Sequence, residues 1–110
     1  MKKVSELTGA ELDYWVAKAN DYNAVVIDGL CWVIDDPEHW ERYQPSSDWS
    51  HGGRIIEREK INVEHRARQK QWFAMIELKA SLPREWGETC LIAAMRTFVS
   101  SHFGDEVPSE

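Results

Sequence analysis

The sequence predicts an α+β fold in which three helices pack against one four-stranded, largely antiparallel sheet, in the order α-β-β-α-β-β-α. Three observations favour this class. Helical periodicity of apolar residues occurs three times, two pairs of β-rich runs are each joined by a short turn, and one run is apolar on both sides. Such a run favours helices on both faces of the sheet, as a sandwich. The 110 residues fit a single domain, with a tail at 105–110 that we expect to fray.

The first helix is predicted over residues 8–20. Thr8 and Glu11 have the spacing of a capping box, in which each side chain serves the backbone N–H of the other residue. The apolar positions that follow recur at helical spacing and form one stripe: Leu12, Trp15, Val16 and Ala19. We interpret this helix as a structural element rather than as a partner-binding helix.

A β-hairpin is predicted after this helix. Residues 24–27 and 30–34 are rich in β-branched and apolar side chains, which favour strands. The dipeptide Asp28-Gly29 between them is typical of a type I′ turn, because both of its positions require a positive φ. The two runs are therefore expected to pair as neighbours in the sheet.

An aromatic-rich connector is predicted over residues 37–46, with at most one helical turn. Trp40 and Tyr43 in this connector are candidates for an exposed contact surface, because connecting segments often carry binding residues. The alternative is that the connector folds down over one face of the sheet, where both rings would serve only in packing.

The central segment, residues 44–61, is the most unusual part of the sequence. Pro45 and two following serines predict the start of a helix, with one apolar face made of Trp49, Gly52, Gly53 and Ile56. Two glycines inside a helix cost about 1 kcal/mol each relative to alanine. We expect a close approach of another backbone beside Trp49 to offset that cost. The alternative is a Gly-Gly loop that binds an anion through its N–H groups, with the helix beginning at Arg54.

The last third of the sequence predicts a second hairpin and a third helix. Residues 61–66 alternate between apolar and polar, and residues 71–78 are the run that is apolar on both sides. Residues 79–87 are predicted to form a loop. Thr89 can then cap a helix that ends before Gly104.

The composition argues against several classes of partner. The formal net charge is −6, which disfavours wholesale binding to nucleic acid or to an anionic membrane. No apolar run approaches about 18 residues, so no membrane span is predicted. The first residues are not followed by the apolar region of a secretory signal. Cys31 and Cys90 are interpreted as reduced, buried thiols of a cytosolic protein, with a disulfide between them as the open alternative.

The sequence contains no recognised catalytic or metal-binding motif. The four histidines lack the local spacing of a metal site, and no serine lies in a nucleophile elbow. We therefore predict no catalytic residues, no metal ligands and no cofactor. The one enzymatic alternative is a general base or cation cluster made of Asp35, Asp36 and His39. Acidic residues beside a proline more often form a solvated turn.

Basic residues concentrate in the second half of the central segment and the hairpin after it. Residues 54–70 contain six basic and three acidic side chains, a local charge of +3 on an acidic protein. Arg54, Arg58 and Arg66 in this range are candidates for binding a small anionic ligand such as a nucleotide, with a tryptophan stacked on it. The alternative is an ordinary surface of mixed charge.

Three segments together resemble one protein family. They are Leu7-Thr8-Gly9-Ala10-Glu11-Leu12-Asp13 with Val16-Ala17-Lys18-Ala19, the central segment from Pro45 to Arg58, and Leu91-Ile92-Ala93-Ala94-Met95-Arg96-Thr97-Phe98-Val99. The chain resembles the NinX-like proteins of lambdoid phages and prophages over nearly its whole length. The second and third segments are also similar to phage helix–sheet–helix sandwich domains. Two positions differ, since the family usually has proline at Arg54 and often has proline at Cys90.

The resemblance implies a small phage or prophage accessory protein of uncharacterised function in the cytoplasm of the bacterial host. It implies no catalytic residues. By analogy with other small acidic proteins from the early operons of such phages, it suggests modulation of a host factor, of recombination or of antiviral defence.

Three functional hypotheses follow. The first is a non-enzymatic protein that binds a host or phage protein through Trp40, Tyr43 and Trp49. The second is a binding protein or trap for a small anionic ligand, held by Arg54, Arg58 and Arg66. The third is an enzyme that uses Asp35, Asp36 and His39. The partner, the ligand and the oligomeric state are not predicted.

Overall fold

Helix α3 (Cys90–Phe103) lies at the centre of the computed structural model, which describes residues 1–108. Its buried residues are Cys90, Leu91, Ala93, Ala94, Met95, Thr97, Phe98 and Val99. As predicted, Thr89 caps the helix, its Oγ1 accepting a hydrogen bond from the Ile92 N–H at 3.1 Å. Gly104 follows the last helical residue with a φ of 84°.

The described part of the chain contains two further α-helices, one 3₁₀ helix and eight short strands. Helix α1 spans Gly9–Ala19, helix α2 spans Trp49–Glu59, and both pack against α3. The 3₁₀ helix spans Val4–Glu6. The strands are β1 (Lys2–Lys3), β2 (Ala24–Ile27), β3 (Leu30–Asp36), β4 (His39–Arg42), β5 (Asn62–Arg66), β6 (Gln71–Met75), β7 (Arg84–Gly87) and β8 (Glu106–Val107).

The strands form three small antiparallel sheets, with the orders β1-β8, β2-β3-β4 and β5-β6-β7. The α+β class and the three helices are confirmed, but the single four-stranded sheet is wrong. Two strands lie in segments predicted as connector and loop: β4 within residues 37–46 and β7 within residues 79–87. These local strands hydrogen-bond the free edges of β3 and β6, so neither hairpin needs to pair with the other.

The predicted β2–β3 hairpin is confirmed. Asp28 and Gly29 have φ values of 54° and 74°, the two positive values that a type I′ turn requires. Ile27 pairs with Leu30 directly across this turn. The turn therefore fixes the register between β2 and β3, and β4 pairs with the other edge of β3.

Helix α2 contains both glycines of the central segment, so the alternative of an anion-binding Gly-Gly loop with a helix start at Arg54 is wrong. Asp48 caps the helix, with Oδ1 accepting from the Ser50 N–H at 2.9 Å. A Cβ atom on Gly52 would lie 2.3 Å from the Pro45 carbonyl oxygen and 2.7 Å from Leu91 Cδ2. A backbone does approach closely, as predicted, but it belongs to Pro45 rather than to a segment beside Trp49.

The two ends of the described chain pair with each other through backbone hydrogen bonds. Lys2 pairs with Val107 in the β1-β8 ladder, and the Val4 N–H donates to the Asp105 carbonyl at 2.8 Å. Residues 105–107, part of the tail predicted to fray, are therefore hydrogen-bonded within the fold, and 109–110 lie outside the described residues. The predicted capping box is also wrong, since Thr8 makes no side-chain capping bond.

The hydrophobic core lies between α1, α3 and the β5-β6-β7 sheet. Its members include Leu12 and Val16 of α1, Ala74 of β6, and Met95 and Phe98 of α3, each no more than 1% exposed. The β2-β3-β4 sheet contributes little to this core. Cys31 is its only buried residue, which leaves most of that sheet available for other contacts.

Candidate protein-binding surface

One face of the β2-β3-β4 sheet is apolar and is not packed into the core. Strand pairing places Val25 opposite Trp32 and Ile34 opposite Trp40, and side chains alternate along each strand. One face therefore carries Val25, Ile27, Leu30, Trp32, Ile34 and Trp40, which we name the outer sheet face. None of the six is buried, none belongs to the core cluster, and Ile27 and Trp40 are each 43% exposed.

The opposite face of the same sheet is anchored by Cys31. This thiol is buried beside α1, and burial, followed by the charge of Asp13, raises its pKa to about 12. Asp13 is itself buried, and its Oδ1 accepts a hydrogen bond from the Ser46 N–H at 2.8 Å. Burial raises the pKa of Asp13 as well. Both cysteines are free and buried, as predicted. On this face Cys31 is covered by packing, whereas none of the six residues of the outer sheet face is buried.

Arg42 borders the outer sheet face at the end of β4. It lies opposite Trp32, and its guanidinium carbon is 5.7 Å from the centre of the Trp32 ring. A cation over an indole face is attracted by the ring quadrupole, so Arg42 helps to hold Trp32 in place. The Arg42 Nε is buried without a hydrogen-bond partner among the described residues.

Trp49 is a second exposed tryptophan, at the first residue of α2. It is 58% exposed. Its indole lies along the helix, because a Cβ atom on Gly53 would be 3.3 Å from Trp49 Cε3. Gly53 therefore leaves room for the ring. The described residues include no ring contact between Trp49 and Trp40, so the two are separate exposed rings.

Tyr43 differs from the two tryptophans because it is half-buried and packs against the core. Its ring centre lies 5.7 Å from that of Tyr22 and 5.3 Å from that of His51. Its hydroxyl accepts a hydrogen bond from Asn20 Nδ2 at 3.2 Å, and burial raises its pKa. Tyr43 thus ties the end of β4 to α1 and α2.

The three candidate arginines lie on two different elements. Arg54 is exposed on α2 and has no ion-pair partner within residues 1–108. Arg58, also on α2, donates to Glu59 Oε2 at 2.8 Å and to Asn20 Oδ1 at 2.7 Å. Arg66, on β5, pairs with Glu64 and lies over the rings of Phe73 and Trp86. Two of the three guanidinium groups are therefore already engaged by acidic side chains.

The candidate enzymatic cluster is partly assembled. His39 Nε2 lies 3.0 Å from Glu41 Oε1 and 3.9 Å from Asp35 Oδ2. The hydrogen bond to Glu41 and its charge, with that of Asp35, raise the pKa of His39. Asp36 does not join them, since its Oδ1 accepts from the Glu38 N–H at 2.8 Å.

Asp35, His39 and Glu41 offer three ligand atoms within 4.8 Å of one another and could hold a metal ion. All three residues are exposed, and exposed acidic groups often cluster without an ion. This exposed cluster is therefore not by itself evidence for a metal site or an active site.

Sequence reasoning identified Trp40 but missed the rest of the outer sheet face. The alternation of Leu30, Trp32 and Ile34 was the available signal, since one side of β3 is apolar at every second position. That signal did not show which side faces the core, because the opposite positions Cys31 and Val33 are apolar as well.

The comparisons with known proteins agree with the resemblance noted in the sequence. Within residues 1–108 no helix combines the length and apolar character needed to cross a membrane. No match is found among curated proteins. The family model described as Bacteriophage P22, NinX matches residues 3–102. Because this match covers nearly the whole chain, the protein belongs to the phage P22 NinX family.

Proposed function

We propose that this phage protein is a non-enzymatic binding protein that engages a host protein and thereby modulates a host factor or a host defence. The observation that carries the proposal is the outer sheet face, where six apolar side chains lie side by side without being buried. Contiguous apolar surface of this kind usually marks an interaction site, because leaving it in water is costly.

Trp40 and Trp49 are the proposed anchors of the contact. Tryptophan is enriched among the residues that dominate binding energy, because one ring buries a large apolar area and loses little conformational entropy. Both rings are about half exposed, at 43% and 58%, so a partner can cover them. Tyr43 has a supporting role in this proposal, since it fixes the chain between β4 and α2.

The geometry supports the small-ligand alternative less well than it supports the protein-binding proposal. It requires Arg54, Arg58 and Arg66 to act together, whereas Arg58 and Arg66 lie on different elements and each pairs with its own glutamate. A ligand phosphate would have to displace both glutamates before it could bind.

The test is quantitative affinity purification of the tagged protein from phage-infected host cells, with wild type, W40A, W49A and L78A compared. Leu78 is 74% exposed and lies outside the proposed surface, so L78A is a matched control for the loss of an exposed apolar side chain. We expect W40A and W49A each to reduce capture of one defined host protein at least tenfold, while L78A captures it as wild type does.

The melting temperature of each variant is measured in parallel, since both tryptophans are exposed and their loss should not unfold the protein. The captured protein is then purified and titrated against the wild type by calorimetry. Equal capture by all four proteins would contradict the proposal. A nucleotide retained by the wild type and lost in R54A would support the small-ligand alternative instead.

A further inference from the structure

Strand β2 is an edge strand whose outward backbone groups have no hydrogen-bond partner within residues 1–108. The Ile34 N–H donates to the Asn23 carbonyl, whereas the Cys31 carbonyl accepts from the Tyr43 N–H next to β4. Backbone groups in an antiparallel ladder alternate between the two neighbours, so Cys31 and Val33 face β4. Ala24 and Val26, which lie opposite them, therefore direct their N–H and C=O groups away from β3.

A groove runs along this free edge. It has a volume of about 340 Å³ and lies between Glu11, Tyr14 and Trp15 of α1 and residues 24–26 of β2. Ala24, Val25 and Val26 all line the groove although their side chains alternate between the two faces of the sheet, so the groove lies beside the backbone of β2. The outward backbone groups of Ala24 and Val26 belong to residues that border the groove.

The two edges of this sheet differ in their protection against strand addition. The edge strand β4 carries His39, Glu41 and Arg42, and charged side chains are the usual protection of an exposed edge. The edge strand β2 is Ala24-Val25-Val26-Ile27 and carries no charge and no proline. Val26 and Ile27 are nevertheless 42% and 43% exposed. The unprotected edge is the one that borders the groove.

The charges around the groove indicate which kind of peptide segment would bind there. Asp21 and Asp28 flank β2 on its two sides, and both are exposed. Glu11 lines the groove and is paired with Lys2 at 2.6 Å, while Lys18 lies against the Tyr14 ring. An extended segment with apolar residues at its centre and basic residues at both ends matches this arrangement.

We propose that β2 binds an extended segment of another protein, added as a fourth strand to the β2-β3-β4 sheet, with alternating apolar residues flanked by lysine or arginine. The backbone of the segment pairs with Ala24 and Val26, and its side chains contact Tyr14 and Trp15 in the groove. This mode of recognition draws affinity from main-chain hydrogen bonds and specificity from alternate side chains. It does not depend on the proposed roles of Trp40 and Trp49.

The test is selection of a displayed library of random 12-residue peptides on the immobilised full chain. Each enriched peptide is then measured by fluorescence anisotropy against wild type, V26P, V26T and W40A. The V26P variant removes an outward N–H without breaking a hydrogen bond of the β2-β3 ladder, and it also replaces the side chain with a ring that fixes φ, whereas V26T keeps that donor and a β-branched side chain. Amide hydrogen exchange of the wild type is measured with and without peptide.

We expect enriched peptides with alternating apolar residues and basic ends. Their affinity should fall at least tenfold in V26P and remain within twofold in V26T and W40A, and exchange at Ala24 and Val26 should slow at least tenfold on binding. Peptides with acidic ends, or peptides that bind V26P as well as wild type, would overturn the proposal. So would a selection without enrichment, or a wild-type dimer that V26P dissociates in sedimentation, since the edge would then pair with a second copy.

Discussion

At Gly52, helix α2 lies very close to the loop before it and to α3. Its missing side chain is what allows the Pro45 carbonyl and Leu91 to lie against the helix. Glycine inside a helix costs about 1 kcal/mol relative to alanine, and here the close contact between α2, α3 and the preceding loop offsets that cost. A Cβ atom on Gly53, one residue later, would meet only the edge of the exposed Trp49 ring within 4 Å.

We predict that G52A lowers the free energy of unfolding by about 2 kcal/mol, because overpacking a filled site typically costs about 1–3 kcal/mol. The backbone of Pro45 cannot move aside without shifting the start of α2. G53A is the matched control, since its nearest neighbour is Trp49 Cε3 at 3.3 Å and that side chain can rotate. We expect G53A to be unchanged or more stable by up to about 1 kcal/mol.

Urea unfolding followed by tryptophan fluorescence measures both variants. If G52A and G53A were equally stable, the close approach at Gly52 would not be the reason for glycine in this helix.

For single residues, the sequence does not fully predict which aromatic side chains are exposed. Trp40 and Trp49 were singled out as contact residues, and both are exposed. Tyr43, in the same predicted connector, is half-buried. Exposure of an aromatic ring depends on what packs beside it, and that neighbour lies far away in sequence, as Asn20 and Tyr22 do for Tyr43.

Helix caps also show that local sequence does not always predict a contact. Thr8 and Thr89 both precede a helix and both are predicted from the sequence to cap it, but only the Thr89 hydroxyl accepts a hydrogen bond from the first turn of its helix. Glu11, the expected partner of Thr8, instead pairs with Lys2. The pairing of β1 with β8 places Lys2 near α1, which local spacing does not encode.

We predict that T89A lowers the free energy of unfolding by about 1 kcal/mol, the usual cost of losing a capping side chain. T8A should change it by less than about 0.5 kcal/mol, as expected of an exposed residue without a specific bond. Thermal unfolding followed by circular dichroism compares the two at one protein concentration. A larger loss in T8A than in T89A would show that the hydrogen bond at Thr89 does not stabilise α3.

The elements with strong local signals were predictable, and those defined by their partners were not. The Asp28-Gly29 turn, the three helices and the apolar runs follow from short-range rules of backbone conformation and periodicity. Strand β4 has only one apolar residue in His39–Arg42, and β7 follows Pro83 in a segment with loop composition. Both are strands because β3 and β6 leave backbone groups that need hydrogen-bond partners. The single sheet was therefore predicted from an incomplete set of strands.

For the whole molecule, the pairing of β1 with β8 closes the fold. Val4 and Val107 are both fully buried, although each lies within a few residues of an end of the described chain. Their burial completes the core beside α3, and the Val4 N–H bond to Asp105 holds the two segments together. Residues near the ends of a chain stay ordered when their backbone and side chains are held in this way.

We predict that V107A lowers the free energy of unfolding by about 2 kcal/mol, because removing buried methyl groups leaves a cavity that the surroundings fill only partly. E106A, at the exposed neighbouring position, is the control and should change the free energy by less than about 0.5 kcal/mol. Guanidinium unfolding monitored by fluorescence measures both. Equal stabilities would show that β8 can detach without disturbing the core.

The adjacency of Lys2 and Val107 has a consequence for how the chain can be rearranged. A short linker could join β8 back to β1, and the polypeptide could begin instead at the turn between β5 and β6, which lies at the surface in residues 67–70. Circular permutation of this kind preserves every strand pairing and every helix contact. The fold therefore does not require the chain to begin at β1, and a permutant opened at this turn would present Trp40, Trp49 and β2 unchanged.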